Sequence, residues 1–332
     1  MQYGDFMLVE ADVERAAEVL RGRADRTPLV PSLYAGADLW LKLEICQPIG
    51  AFKLRGALNA VAAAAGDVVC CSTGNHGRGV AWAAREAGKR AVICMSELVP
   101  EAKVAGIRAL GAEVRIKGRS QDEAQAEADR LTREEGLTGI SPFDDFLVIA
   151  GQATIGAEIM AERPGIETLL VPLSGGGLAA GVAFAAKRAK PSVRVVGVSM
   201  DRGAAMYESL LAGAPVQVEE VASLADSLGG GIGMENRMSF AMCRDLLDDT
   251  VLVTEEEIYR AMQETYYTDR LVAEGGSVVG LAALMAGKVR CDGPVATILT
   301  GRNVDMAQFT RVVTGQDVTL GEMTVKGVPH GA

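Results

Sequence analysis

Apolar strand-like runs alternate with helix-like runs along most of the chain, and glycine-rich turns separate them at two places. Parallel strands need a crossover, which a helix supplies, so this alternation points to an α/β protein with mainly parallel sheets. Val68-Val69-Cys70-Cys71 passes through Ser72-Thr73-Gly74-Asn75-His76-Gly77 into the helical run Gly79 to Arg85. Thr168 to Leu173 passes through Ser174-Gly175-Gly176-Gly177 into the helical run Leu178 to Ala189. Ser120 with Glu123 reads as a capping box opening a charged helix. Residues 67–149 form one compact unit in this reading; residues 1–66 and 150–332 form a second, larger one. The final dozen residues are expected to fray.

A length of 332 residues exceeds one comfortable core, which agrees with two units. No apolar run reaches the roughly 20 residues of a membrane helix, and no signal peptide is seen, so a cytoplasmic protein is expected. The six cysteines lack metal-finger spacing and read as buried free thiols. A net charge of −10 without a basic cluster argues against nucleic acid and membrane partners. Only His76 and His330 are available, which disfavours a two-histidine metal site or a Ser-His-Asp triad. Small-molecule chemistry resting on a lysine is the better expectation.

Open parallel sheets bind ligands beyond the carboxyl ends of their strands, so strand-to-helix turns are where chemistry is sought. Ser174-Gly175-Gly176-Gly177 suits a phosphate, because glycines let backbone N–H groups approach an anion and a helix N-terminus adds partial positive charge. Gly175, Gly177 and Ala180 also fit a dinucleotide fingerprint, with Asp201 where a ribose carboxylate would sit; a tight turn without ligand is the plain alternative. Ser72 to His76 offers hydroxyls, an amide and free backbone donors to a carboxylate or phenolic oxygen, against ordinary helix capping. His76 reads first as a structural histidine. Lys53 lies between Phe52 and Leu54, flanked by Gly50 and Gly56, just before the apolar run Ala57 to Ala65. Burial there would favour a neutral amine able to form a Schiff base. Arg55 is expected in an ion pair or helix packing.

Lys42-Leu43-Glu44, Gln47-Pro48-Ile49-Gly50-Ala51-Phe52-Lys53-Leu54-Arg55-Gly56, the Ser72 to His76 turn and the Ser174 to Gly177 turn together resemble the fold-type II pyridoxal-phosphate enzymes. The branch they resemble is that of the serine/threonine dehydratases. The likeness continues through Pro142 to Asp145, Val148 to Gly156, Leu228 to Gly231 and Thr300 to Asp305. It implies a tryptophan synthase β-like fold, with two open twisted sheets, pyridoxal 5′-phosphate between them, and a small unit that acts as a mobile lid.

By that resemblance Lys53 would carry the cofactor, Phe52 would lie against its ring and Asn75 would bond its phenolic oxygen. Ser174, Gly175, Gly176, Gly177 and Leu178 would hold the phosphate. Gly229 would belong to the same site, and Thr300 would face the pyridine nitrogen. Ser72, Thr73, Gly74, Asn75 and His76 would receive the substrate carboxylate. The implied reaction is loss of a β-hydroxyl from a hydroxy amino acid, ending in a 2-oxo product and ammonia, and the implied assembly is a homodimer.

Relatives that bind a divalent cation place carboxylates where this chain has Ser199 and Ala205, so no metal is expected. Racemase relatives use a serine where this chain has Thr73, which favours elimination. Gly118 to Gln125, Ser199 to Met206, and Ala51 are most similar to the hydroxyectoine-utilisation dehydratase group. A hydroxyectoine-derived β-hydroxy diamino acid is therefore the expected substrate, with Arg202 and Arg302 reading its distal part. L-Threonine, L-serine and β-hydroxyaspartate are the alternatives within the family, ahead of a serine racemase. A Rossmann dehydrogenase is the rival outside it, and it leaves Lys53 unexplained.

Overall fold

A computed structural model describes residues 8–72, 74–99 and 101–331. The chain opens with α1 (Glu10–Leu20), β1 (Leu29–Pro31) and β2 (Leu39–Lys42), and then α2 (Lys53–Ala63). Next come β3 (Val68–Cys71), α3 (Asn75–Glu86), β4 (Ala91–Met95), α4 (Glu101–Arg108), β5 (Glu113–Ile116), α5 (Gln121–Glu135) and β6 (Thr138–Gly139). α6 (Phe146–Glu162) leads to β7 (Thr168–Pro172), α7 (Gly177–Ala189), β8 (Arg194–Met200), α8 (Ala205–Ala212), α9 (Ser239–Leu246) and β9 (Asp249–Val253). α10 (Glu255–Tyr267), α11 (Val279–Met285), β10 (Val295–Ile298), α12 (Met306–Val313), β11 (Val318–Leu320) and β12 (Met323–Val325) complete it.

The strands form a six-stranded sheet, ordered β1-β2-β10-β7-β8-β9, a four-stranded sheet, ordered β5-β4-β3-β6, and the hairpin β11-β12. All pairings in the two large sheets are parallel except β1 with β2. This is the expected α/β fold. Period-two alternation builds each sheet's two faces: Leu170, Val196 and Val198 enter one core, while Leu169, Val171 and Val195 enter the core on the opposite side. Val68, Cys70 and Ile93 are likewise divided from Val69, Cys71, Val92 and Cys94 in the smaller sheet. Both faces are covered, so β3 and β7 are buried along their whole length. No helix among the described residues is long and apolar enough to cross a membrane.

Local chemistry fixes the helix starts. Ser120 and Glu123 form the expected capping box on α5, Thr254 and Glu257 form another on α10, and Asp145 caps α6 through the N–H groups of Leu147 and Val148. Three expectations need correction. Lys53 does not precede the helix but begins it, because Ala51 bridges to Gly301 and leaves Phe52 as the cap. Asn75 and His76 are likewise the first turn of α3. The tail is held as far as His330 and does not fray there: Gln263 Nε2 donates to Val328 O at 2.8 Å, and the His330 ring stacks on Tyr267 with centroids 4.7 Å apart.

Candidate active site

Phe52 N–H donates to Thr300 O at 2.9 Å, which stitches the start of α2 to the segment after β10. Lys53 Nζ points to Pro142 and donates to its carbonyl at 2.6 Å, with the Phe52 ring centroid 5.2 Å away. Burial pulls the Lys53 pKa down from its ordinary value to about 8. A neutral amine is thus accessible near physiological pH.

The residue after Pro142 seals the glycine turn. A Cβ on Gly175 would lie 2.2 Å from the Phe143 ring, and one on Gly177 would lie 2.6 Å from the Phe143 carbonyl oxygen. Gly176 has φ +89°, a left-handed backbone that favours glycine. Ser239 Oγ donates to Gly175 O at 2.7 Å, and the Cys243 thiol to Gly176 O at 3.5 Å. Asp144 accepts from the N–H groups of Arg237, Met238 and Ser239 at 2.7, 2.8 and 2.9 Å, tying the Phe143 segment to the start of α9. The turn is therefore rigid. It opens α7, whose first N–H groups lack intrahelical partners, so it can take an anion.

Thr300 and Ser277 form a buried hydroxyl pair with oxygens 2.9 Å apart. Ser277 Oγ also accepts from Gly301 N–H at 2.7 Å and lies 2.8 Å from Gly301 O. Asn75 Nδ2 lies 3.0 and 3.1 Å from the two carboxylate oxygens of Glu274. Its Oδ1 accepts from Asn303 Nδ2 at 2.7 Å, and Asn303 N–H donates to Glu274 at 2.7 Å. Burial raises the Glu274 pKa, opposed by the hydrogen bonds from Asn75 and Asn303. Glu274 and Ser277 were not singled out by sequence reasoning; the available signal was Glu274-Gly275-Gly276-Ser277, a polar turn directly before an apolar helix.

His76 Nε2 lies 2.9 Å from Ile140 O, and burial together with the Lys53 charge pulls its pKa to about 3. It stays neutral and structural. Ser72 Oγ accepts from Gly74 N–H at 3.3 Å; Thr73 lies outside the described residues. A Cβ on Gly276 would lie 2.4 Å from Ser227 Oγ, so the turn leading to Gly229 packs against the turn holding Ser277. Arg302 is exposed and folds over Gly50, whose Cβ would lie 3.1 Å from Arg302 Cγ. The structure does not bring Arg202 to this group: its Nη1 donates to Ala222 O at 3.1 Å and lies 3.2 Å from Met323 Sδ. Phe52, Lys53, Asn75, Gly175, Gly176, Gly177 and Thr300 do converge, through the contacts of Pro142, Phe143, Glu274 and Gly301.

A family model described as "Pyridoxal-phosphate dependent enzyme" matches residues 20–301. The chain is 52% identical to a "Putative threonine dehydratase" of Sinorhizobium fredii, over 91% of this chain and 94% of that protein. It is 39% identical to the L-threonine ammonia-lyase of Geobacter sulfurreducens, over 95% of this chain and 80% of that protein. Maize serine racemase superposes with a TM-score of 0.85 at 30% identity, covering 91% of this chain and 95% of the other. The residues present fit pyridoxal 5′-phosphate: a glycine cradle closed by Phe143 for the phosphate, a half-buried amine with a neutral form within reach, and a hydroxyl pair at Ser277 and Thr300.

Proposed function

Because the chain belongs to the pyridoxal-phosphate dependent enzyme family, we propose that it eliminates the β-hydroxyl of a hydroxy amino acid, with Lys53 as cofactor lysine and acid/base. Its cofactor is pyridoxal 5′-phosphate and its activity is that of a threonine dehydratase-like ammonia-lyase. The observation that carries the residue assignment is Lys53 itself: half-buried at the head of α2, with its pKa lowered to about 8, and bonded to the carbonyl next to the residue that seals the glycine turn.

When bound, pyridoxal 5′-phosphate supplies an electron sink for bonds at the substrate α-carbon. Gly175, Gly176, Gly177 and Leu178, beside Ser174, hold the phosphate at the N-terminus of α7. Thr300, paired with Ser277, offers a hydroxyl and not a carboxylate to the pyridine nitrogen, which suits elimination. Asn75 would hold the phenolic oxygen, and the turn from Ser72 to Asn75 would receive the substrate carboxylate. Neutral Lys53 would take the α-proton, and its ammonium form would return a proton to the departing hydroxyl, so that water leaves. The released enamine hydrolyses to a 2-oxo acid and ammonia. Residues 67–149 act as a lid that excludes water until release, and the enzyme works as a homodimer.

The substrate we favour is a hydroxyectoine-derived β-hydroxy diamino acid, supported by the resemblance of Gly118 to Gln125 and Ser199 to Met206 and by Ala51. L-Threonine is the second reading, favoured by the names of the two relatives above. Purified protein with added cofactor should show a visible absorption band that borohydride removes and that Lys53→Ala lacks. A panel of β-hydroxy amino acids, scored by 2-oxo acid release, then chooses the substrate; efficient turnover of L-threonine with none of the hydroxyectoine-derived compounds would overturn the finer reading.

A further inference from the structure

Three helices meet behind the proposed cofactor site, and they touch at glycines. A Cβ on Gly151 of α6 would lie 2.7 Å from Arg55 O and from Gly56 Cα of α2, and one on Gly56 would lie 2.9 Å from Val148 O. α6 meets α7 in the same way: a Cβ on Gly156 would lie 2.6 Å from Val182 O, and one on Gly181 would lie 2.6 Å from Ile149 O. At Gly151, Gly156 and Gly181 backbone meets backbone, and at Gly56 the side chains of Gln152 and Val148 also close in, at 2.6 and 2.8 Å. α6 is therefore a fixed-width spacer between the helix that begins at Lys53 and the helix that opens at the glycine turn.

A buried ionic network locks that spacer in place. Arg55 donates to Glu158 of α6 through Nη1 at 2.6 Å and Nη2 at 2.9 Å. It donates to Glu44 through Nη2 at 2.8 Å and Nε at 2.9 Å, and to Thr154 Oγ1 at 3.1 Å. Lys42 of β2 reaches the same Glu158 at 2.6 Å and donates to Thr27 O at 2.7 Å. Lys42, Glu44 and Arg55 are all buried, so each charge depends on the others for compensation. A planar guanidinium engaged in two forks defines the rotation of α2 about its axis as well as its position along α6, which a point charge would not do.

We propose that Arg55 and Glu158 are positioning residues that set the separation between Lys53 and the glycine turn through α6. The proposal rests on Lys53 and Gly175 to Gly177 being the cofactor-holding groups. Hydrophobic contact alone would let α2 turn or slide without large cost; the network and the glycine contacts remove that freedom.

The test titrates cofactor-free protein with pyridoxal 5′-phosphate, followed by visible absorbance, alongside thermal melts of the same samples. Glu158→Gln keeps shape and removes charge, Arg55→Lys keeps charge and removes the fork, and Arg188→Gln on the exposed face of α7 is the control. Glu158→Gln and Arg55→Lys are expected to raise the cofactor Kd at least tenfold at a temperature where both remain folded, with Arg188→Gln unchanged. Glu158→Gln alone decides if Arg55→Lys does not fold. A lowered melting temperature with a wild-type Kd would mean a merely structural network and overturn the proposal. Lys53→Ala separates the two levels: wild-type binding with no borohydride-sensitive band lost would sink the cofactor-lysine reading itself, whereas loss in Lys53→Ala with wild-type Kd in Glu158→Gln would sink only the positioning role.

Discussion

The two strand-to-helix turns look alike in sequence and are built differently. In the turn from Ser174 to Gly177 the three glycines are buried, two of their carbonyls are held by Ser239 and Cys243, and Phe143 fills the space that side chains at Gly175 and Gly177 would need. In the turn from Ser72 to His76, Gly74 is exposed and a Cβ there would meet nothing within 4 Å among the described residues. Glycine serves close packing in the first turn and leaves an open surface in the second. The difference matches a division of labour in the proposed function, where a cofactor phosphate never varies and a substrate must enter and leave.

Substituting the glycines is the strongest way to break that comparison. Gly177→Ala drives a methyl group against the Phe143 backbone, which cannot swing aside, so the turn itself must shift. Overpacking of this kind costs about 1–3 kcal/mol, or roughly 5- to 150-fold in cofactor affinity where the bound turn bears it. Gly74→Ala should leave that affinity within about twofold, since the methyl group enters open space and φ there is −116°. Titration of cofactor-free protein reads both, and equal losses would abolish the distinction.

What the sequence showed depended on how local each signal was. The glycine turns and Lys53 were legible because a strand, a turn and a helix are adjacent in the chain and their periods differ. Arg55 was legible as an ion-pair residue, but its partners Glu44 and Glu158 lie on a 3-10 turn and a distant helix that only folding brings together. Glu274 stayed hidden for the same reason: its carboxylate matters through Asn75, 199 positions earlier. α8, α9 and β9 escaped because residues 205–253 mix apolar, glycine and charged residues without a sustained period. The final residues looked frayed from composition, yet Gln263, Glu264 and Tyr267 of α10 hold them.

Glu274 sharpens the comparison from the other side, because it anchors the open turn where the closed one is held by Phe143. Glu274→Gln can keep an amide oxygen where Oε1 accepts from both Asn75 Nδ2 and Asn303 N–H, but it sets an NH2 against Asn75 Nδ2 where Oε2 now accepts at 3.1 Å, and it removes the charge. A lost hydrogen bond to a buried charged group is worth about 1.5–2 kcal/mol, or roughly 10- to 30-fold in kcat/KM. Cofactor affinity should fall less than in Gly177→Ala. A variant with wild-type kcat/KM would show that Asn75 is held by Asn303 alone.

Lys53 stands between the two turns, and pH tests whether its burial sets its chemistry. The neutral amine is the form that captures an aldehyde, and with a pKa of about 8 its fraction rises roughly tenfold from pH 7 to pH 9 and then levels off. An amine at the ordinary value of 10.5 would give roughly a hundredfold rise over that range with no plateau. The capture rate of pyridoxal 5′-phosphate by cofactor-free protein, measured against pH, separates the two. Stability follows with a definite sign. The folded protein binds fewer protons than the unfolded chain between pH 8 and 10.5, so the cost of burying Lys53 is full below pH 8 and vanishes as pH rises through 10.5. Cofactor-free Lys53→Met should therefore melt above the wild type at pH 7, with the gap closing above pH 10.5; a gap independent of pH would mean that packing, and not the buried charge, separates the two proteins.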